Sequence, residues 1–191
     1  MCATVALCTA APGGRCGNSR ICAGASSVAS GQVSGLLESC PSRGVVVRQA
    51  NAKLVEDLYE YRLLLEPAAV RMAVPHQDPA ALKKLQQKLE LGQRLGEEQN
   101  LSELSRLNRG FHEGLYEECR NDLLKSALDG MRDQLAFVAA AGWRANSSWD
   151  TERREHVEIL QAVIDGDAGK ASELMHTHIE SAWARLLATI G

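Results

Sequence analysis

From residue 51 onward, apolar side chains recur at steps of three and four with only short polar breaks between runs, and this pattern constrains the chain more than any other feature. Leu54, Leu58, Tyr61, Leu65 and Ala69 mark a first helix that ends at Pro75. Asp78 and Pro79, a carboxylate cap followed by proline at the first turn, start a second helix through Leu82, Leu85, Leu89 and Leu95, with a break near residues 96–100. A third carries Leu101, Leu104, Asn108, Phe111, His112 and Leu115. A fourth opens at Asn121 and Asp122, runs through Leu124, Leu128, Leu135 and Val138, and gives way to a loop at residues 142–148. The last two, about residues 149–165 and 167–190, meet at Asp165-Gly166-Asp167, where glycine ends one helix and aspartate caps the next. Connections this short make neighbours antiparallel, so the expected fold class is all-α: an antiparallel bundle of about six helices.

Composition agrees. A hydrophobic content of 45% with only 4% aromatic residues suits helix-on-helix packing better than a sheet of β-branched and aromatic strands. A net charge of -3 and a pI near 6.0 leave no global basic field, so any contact with nucleic acid must come from a local patch. No apolar run approaches the roughly 18 residues of a membrane span, and no basic stretch precedes the apolar opening. The expectation is a cytoplasmic protein with no membrane partner.

The amino-terminal quarter has a different character. Residues 1–34 hold only Arg15 and Arg20 as charged side chains amid Gly, Ser, Ala and Cys, and are expected to be a disordered leader. Cys2, Cys8, Cys16, Cys22 and Cys40 crowd this end, but no CxxC pair occurs and no histidine precedes His76, which favours reduced thiols over a zinc site. In residues 35–50 two short apolar runs flank Pro41-Ser42-Arg43-Gly44, as in a β-hairpin; an irregular linker is the competing reading. Residues 51–191 then form the helical domain.

Three histidines stand at correlated positions. His156 lies ten residues before Gly166 and His178 eleven after Asp167, so at about 1.5 Å per residue both sit about 15 to 17 Å from the same turn and face each other. His178 falls in the stripe of Ala171, Met175, Ile179, Ala182 and Leu186, whereas His176 does not. Asn108 and His112, four residues apart, share the face marked by Leu104, Phe111 and Leu115. Unpartnered polar groups there would cost roughly 1–3 kcal/mol each, while a divalent cation would satisfy imidazole nitrogens and an amide oxygen together. The alternative is a set of hydrogen-bonded core histidines, and periodicity alone does not fix the distance from His112 to the other two.

The run YEYRLLLEPAAVRMAV at residues 59–74, NRGFHEGLYEECRNDLL at 108–124 and EHVEILQAVIDGDAGKASELMHTHI at 155–179 resemble, in order, three segments of the FCD domain. This is the effector-binding domain of the FadR branch of GntR-type bacterial transcription regulators. The resemblance implies a metal held by Asn108, His112, His156 and His178, with zinc or nickel as candidates; Asn108 stands where the family more often has aspartate, which implies weaker affinity. It further implies a small organic or sugar acid as effector, with Arg62 and Arg132 as candidate partners of its carboxylate. Arg62 with Glu66 also reads as an ordinary i,i+4 ion pair, and Arg132 as a solvated helix charge.

The resemblance implies a homodimer whose winged helix-turn-helix heads bind operator DNA, with Arg43 and Gly44 near the phosphate backbone in a remnant of the wing. No amphipathic Arg-, Ser- and Thr-rich recognition helix precedes them, so an incomplete or scrambled head is expected. The expected function is therefore effector sensing for transcription regulation, without enzymatic activity. The alternatives are a three-histidine helical-bundle metalloenzyme and an interaction module without a site. Glu113 and Glu155, the nearest acids in sequence, sit beside histidines and so point off the metal-facing stripe, which weighs against a general base. Translation of the upstream nucleotides in the other frames tests the scrambled head: a winged-helix pattern in one frame supports it, and none in any frame removes it.

Overall fold

The computed structural model describes residues 4–5, 35–40, 44–48, 50–145 and 148–190. The rest of the expected leader, its cysteines Cys2, Cys8, Cys16 and Cys22, and Arg43 lie outside the described residues. The chain divides into two compact units, residues 1–49 and 50–191.

In the first unit, β2 (Leu37–Cys40) and β3 (Gly44–Val47) form the antiparallel hairpin, in register from Leu37 opposite Val47 to Cys40 opposite Gly44. A third strand, β1 (Thr4–Val5), pairs antiparallel with β3 and makes a sheet of order β1-β3-β2. These two residues come from the segment expected to be a disordered leader. A two-residue strand has no periodicity to announce it; its partner Val45-Val46-Val47 is β-branched and accepts strands on both edges.

The second unit is the six-helix bundle: α1 (Ala52–Ala73), α2 (Pro79–Glu97), α3 (Leu101–Tyr116), α4 (Asp122–Ala145), α5 (Trp149–Ile164) and α6 (Ala168–Ile190). Short polar side chains set most of the starts. Asn51 accepts from Leu54 N at 2.9 Å, Asp78 from Ala80 N at 3.2 Å, Asn121 from Leu124 N at 3.1 Å and Asp167 from Lys170 N at 2.8 Å. Each satisfies a backbone donor that the first helical turn would otherwise leave bare. Gly166, at φ +73°, makes the left-handed step that ends α5, and Asp167 begins α6 directly after it.

Two boundaries differ from the sequence expectation. Pro75 sits not at the end of α1 but in a separate 3-10 turn, Val74–His76. More consequentially, α4 continues through Gly142 to Ala145, where a loop was expected. A Cβ on Gly142 would lie 2.7 Å from Leu186 Cδ1, so this glycine is where α6 approaches α4 closely, not a helix breaker. A helical glycine costs roughly 0.5–1 kcal/mol, which the close approach offsets.

α1 packs along α6, α5 pairs with α6, α2 lies against α3 and α5, and α3 runs beside α4. Leu58, Phe111, Leu115, Ile159, Met175 and Ile179, from α1, α3, α5 and α6, form the driest layer of the core. That layer is also the level of the histidines. Among the described residues no helix is long and apolar enough to cross a membrane.

Two glycines make opposite predictions. A Cβ on Gly96 would meet the Trp149 ring at 2.3 Å, whereas one on Gly130 in α4 meets nothing within 4 Å. Gly96→Ala should therefore destabilise by about 1–3 kcal/mol, lowering the melting midpoint by several degrees, and Gly130→Ala should raise stability by about 0.5–1 kcal/mol. Thermal denaturation followed by circular dichroism checks both signs.

Candidate metal centre

His112 on α3, His156 on α5 and His178 on α6 converge at the centre of the bundle, all three buried. One ring nitrogen from each lies within 4.8 Å of the others. The ring centroids stand 4.9 Å apart for His112 and His156, 5.3 Å for His112 and His178, and 4.5 Å for His156 and His178. His176 and His76 are exposed, His176 as its position off the apolar stripe required.

The individual nitrogens say what the cluster can hold. His156 Nε2 and His178 Nε2 are 3.1 Å apart, and His178 Nδ1 lies 2.7 Å from Glu155 Oε2. A proton on Nδ1, donated to that carboxylate, leaves a lone pair on His178 Nε2. His112 Nδ1 contacts Glu66 Oε1, while its Nε2 is buried without a hydrogen-bond partner. A buried acceptor without a partner costs about 1–3 kcal/mol, and a cation bound by the three nitrogens removes that cost. Two nitrogens on one zinc at about 2.0–2.1 Å each stand about 3.0–3.4 Å apart, the range in which His156 and His178 already lie. The donor set therefore fits a divalent metal ion of zinc or nickel type.

Burial first, then the charges of its neighbours, holds His156 well below its ordinary pKa. Burial also lowers His112, against an opposing pull from Glu66. Both are thus neutral in the fold, the form in which imidazole binds metal. Burial alone would raise Glu66, but Arg62 and His112 outweigh it and hold this carboxyl well below the usual range. Glu155, likewise raised by burial, is brought down to about 2 by its bonds to His178 and Arg185.

A cleft of about 580 Å³, counted with its open mouth, adjoins the cluster and is lined by Arg62, Glu66, Asn108, His112, Arg132 and His178 among others. The space in it open to the centre of a water-sized sphere is only about 40 Å³, which suits a small occupant. Asn108 is half-buried one turn before His112 and makes no side-chain hydrogen bond to another described residue. Arg62 is buried, bonded through Nε to Glu66 Oε2 at 2.8 Å, and its guanidinium carbon lies 5.2 Å from the Tyr59 ring centroid. The i,i+4 ion pair read from sequence is thus present, and it occupies Arg62. Arg132 is half-exposed at the cleft, with Glu113 at 3.7 Å.

Sequence reasoning missed three participants. Glu66 entered only as the partner of Arg62, although its second oxygen holds His112. Glu155 was placed off the site, yet α6 crosses so that His178 reaches it and Arg185 grips it with two bonds, at 2.8 and 2.9 Å. Glu152, one turn before His156, is buried at the cleft and accepts from Trp143 Nε1 at 3.0 Å and Ser148 Oγ at 2.7 Å. Each is an interhelical or loop-borne contact, invisible to the spacing within one helix.

Fold and site define a helical bundle with an internal histidine cluster and an adjoining cleft. The family model of the FCD domain matches residues 57–181, and the chain belongs to that family, the FCD type of GntR regulators. It is 30% identical over 147 residues to the HTH-type transcriptional regulator YdhC of Bacillus subtilis, covering 74% of this chain and 65% of that protein. The chain thus spans just under two thirds of that relative's length. Among solved structures, McbR/YncC of E. coli superposes with a TM-score of 0.74 at 17% identity, covering 85% of this chain and 82% of that one. A transcriptional regulator GntR from Rhodococcus sp. RHA1 superposes with a TM-score of 0.70 at 22% identity, covering 84% and 76%.

The buried neutral histidines set a pH dependence for the metal-free protein. The unfolded chain takes up protons at His112 and His156 near the ordinary value of 6.5 and the folded one does not, so stability is full above that pH and falls below it. Glu66 and Glu155, depressed in the fold, add a second loss as pH drops below the ordinary value of 4.5. In chelator, the melting midpoint should hold above pH 7, decline from about pH 6.5 to 5, and steepen below about 4.5. A midpoint that is flat or rises from pH 7 to pH 5 contradicts this assignment.

Proposed function

We propose that the helical unit is the effector sensor of a transcription regulator, in which His112, His156, His178 and Asn108 hold a divalent metal and a small carboxylic acid binds in the adjoining cleft. The observation that carries the reading is the convergence of three buried imidazoles, one with an orphaned Nε2, at the wall of a cleft with cationic side chains. Bound there, the metal supplies a Lewis-acidic contact for a carboxylate oxygen. Arg132, half-exposed at the cleft, meets the acid's remaining charge; Arg62 lines the cleft but is engaged by Glu66.

The cleft draws its lining from α1, α3, α4, α5 and α6, so an occupant that favours one arrangement of these helices shifts the population of the whole bundle. In a cytoplasmic homodimer with complete operator-binding heads, that shift would change the spacing of the heads. The FCD membership and the regulators among the relatives support this reading over a metalloenzyme. The acids bonded to the histidines, Glu66 and Glu155, are each also held by an arginine and so are not free as general bases, while Glu113 and Glu152 line the cleft as well.

Metal analysis of the purified protein, followed by thermal shift with small carboxylates before and after chelation, tests the proposal. About one divalent ion per chain is expected, with stabilisation by an acid that chelator abolishes and that leaves the acid chemically unchanged. Arg132→Ala should weaken that acid roughly three- to tenfold, a modest effect because the side chain is half in water. A metal-free protein whose midpoint ignores both chelator and acids would refute the sensor; turnover of the acid would favour the enzyme.

A further inference from the structure

Two of the three histidines are backed in the same way. On α3, His112 turns Nδ1 to Glu66, and Arg62 holds the other oxygen of that carboxylate at 2.8 Å. On α6, His178 turns Nδ1 to Glu155 at 2.7 Å, and Arg185 holds both oxygens of that carboxylate at 2.8 and 2.9 Å. In both cases Nε2 is left facing the cluster. No carboxylate is hydrogen-bonded to His156 among the described residues. We infer that Glu66 and Glu155, each oriented by its arginine, are positioning residues that fix the tautomer and ring direction of His112 and His178 for metal binding. The inference rests on the metal-site reading above and extends it to residues that touch no metal.

The chemistry explains why carboxylates stand there. An imidazole that binds through Nε2 must keep its proton on Nδ1, and a carboxylate accepting that proton's hydrogen bond makes the ring a better donor to the metal. Glu66 and Arg62 are almost completely buried, at 2% and 7% exposure. A buried ion pair is a poor way to gain stability, since apolar residues of similar volume often do as well or better. What an apolar pair cannot supply is an acceptor for His112 Nδ1. Glu155 and Arg185 repeat the arrangement in a half-buried setting, where the desolvation cost is smaller.

This assigns Arg62 a different task from the one its sequence position suggested. Its Nε donates to Glu66, and that ion pair steadies the carboxylate beside the histidine; its Nη2, 3.4 Å from His112 Nδ1, has only hydrogens to offer and makes no bond to a protonated Nδ1. The effector's carboxylate is then left to the metal and Arg132.

The test is a cobalt(II) titration of the full chain, read by visible absorption, with zinc affinity from chelator competition and the melting midpoint of each metal-free variant alongside. Glu155→Ala should bind both metals about 10- to 100-fold more weakly, Glu155→Gln should fall between it and the parent, and the cobalt spectrum should shift in both. Glu66→Gln should lose a comparable factor, while Glu173→Gln, at an exposed pair with Lys170, should match the parent. A folded Glu155→Ala that binds cobalt within twofold of the parent, with the same spectrum, overturns the inference. If Glu66→Gln fails to fold, the Glu155 series decides. A parent that binds neither metal overturns the metal site itself, an outcome separate from a parent that binds as its Glu155 variants do.

Discussion

The antiparallel pairing of α5 and α6 is the constraint on which the rest of the site depends. Gly166 takes the left-handed turn, Asp167 caps the returning helix, and the equal distances of His156 and His178 from that turn bring their Nε2 atoms to 3.1 Å. Because the helix rise is fixed, this level follows from the position of one glycine and does not need to be found by side-chain search. α3 then delivers His112 from across the core, with Phe111 packed against His156 at a centroid distance of 4.6 Å. Once Ile159, Met175 and Ile179 are buried around the pair, the rings have little room to turn.

Charge in this core is arranged to keep the histidines neutral and oriented. Burial lowers His112 and His156, and the two carboxylates stay ionised because each is held by an arginine. The result is a cluster of three imidazoles, two of them backed by an arginine-held carboxylate, with Glu113 and Glu152 adding negative charge at the cleft. Tyr59, packed against Trp183 and beneath Arg62, closes one wall; burial, the largest influence on its hydroxyl, raises that pKa to about 12. That hydroxyl therefore stays protonated near neutrality.

How much of this the sequence discloses depends on whether the relevant contact lies within one helix or between two. The six helices, the hairpin at residues 37–47 and the burial of His112, His156 and His178 all follow from local periodicity and capping. The end of α4 does not, because Gly142 was read as a breaker when its role is to admit Leu186, a residue 44 positions away. Glu155 fails for the same reason: on α5 alone it points away from the stripe, and only the packing of α6 brings His178 Nδ1 to it. Arg62 and Glu66 were visible as a pair, but the spare oxygen of Glu66 and its use by His112 require the tertiary fold.

Binding of one divalent metal by His112, His156 and His178 through Nε2 is checked by X-ray absorption at the zinc edge of the loaded protein. A shell of three imidazole nitrogens at about 2.0–2.1 Å with oxygen completing it is expected, with loss of one imidazole in His178→Ala. A shell of sulfur or of water alone, or one unchanged by His178→Ala, would contradict it.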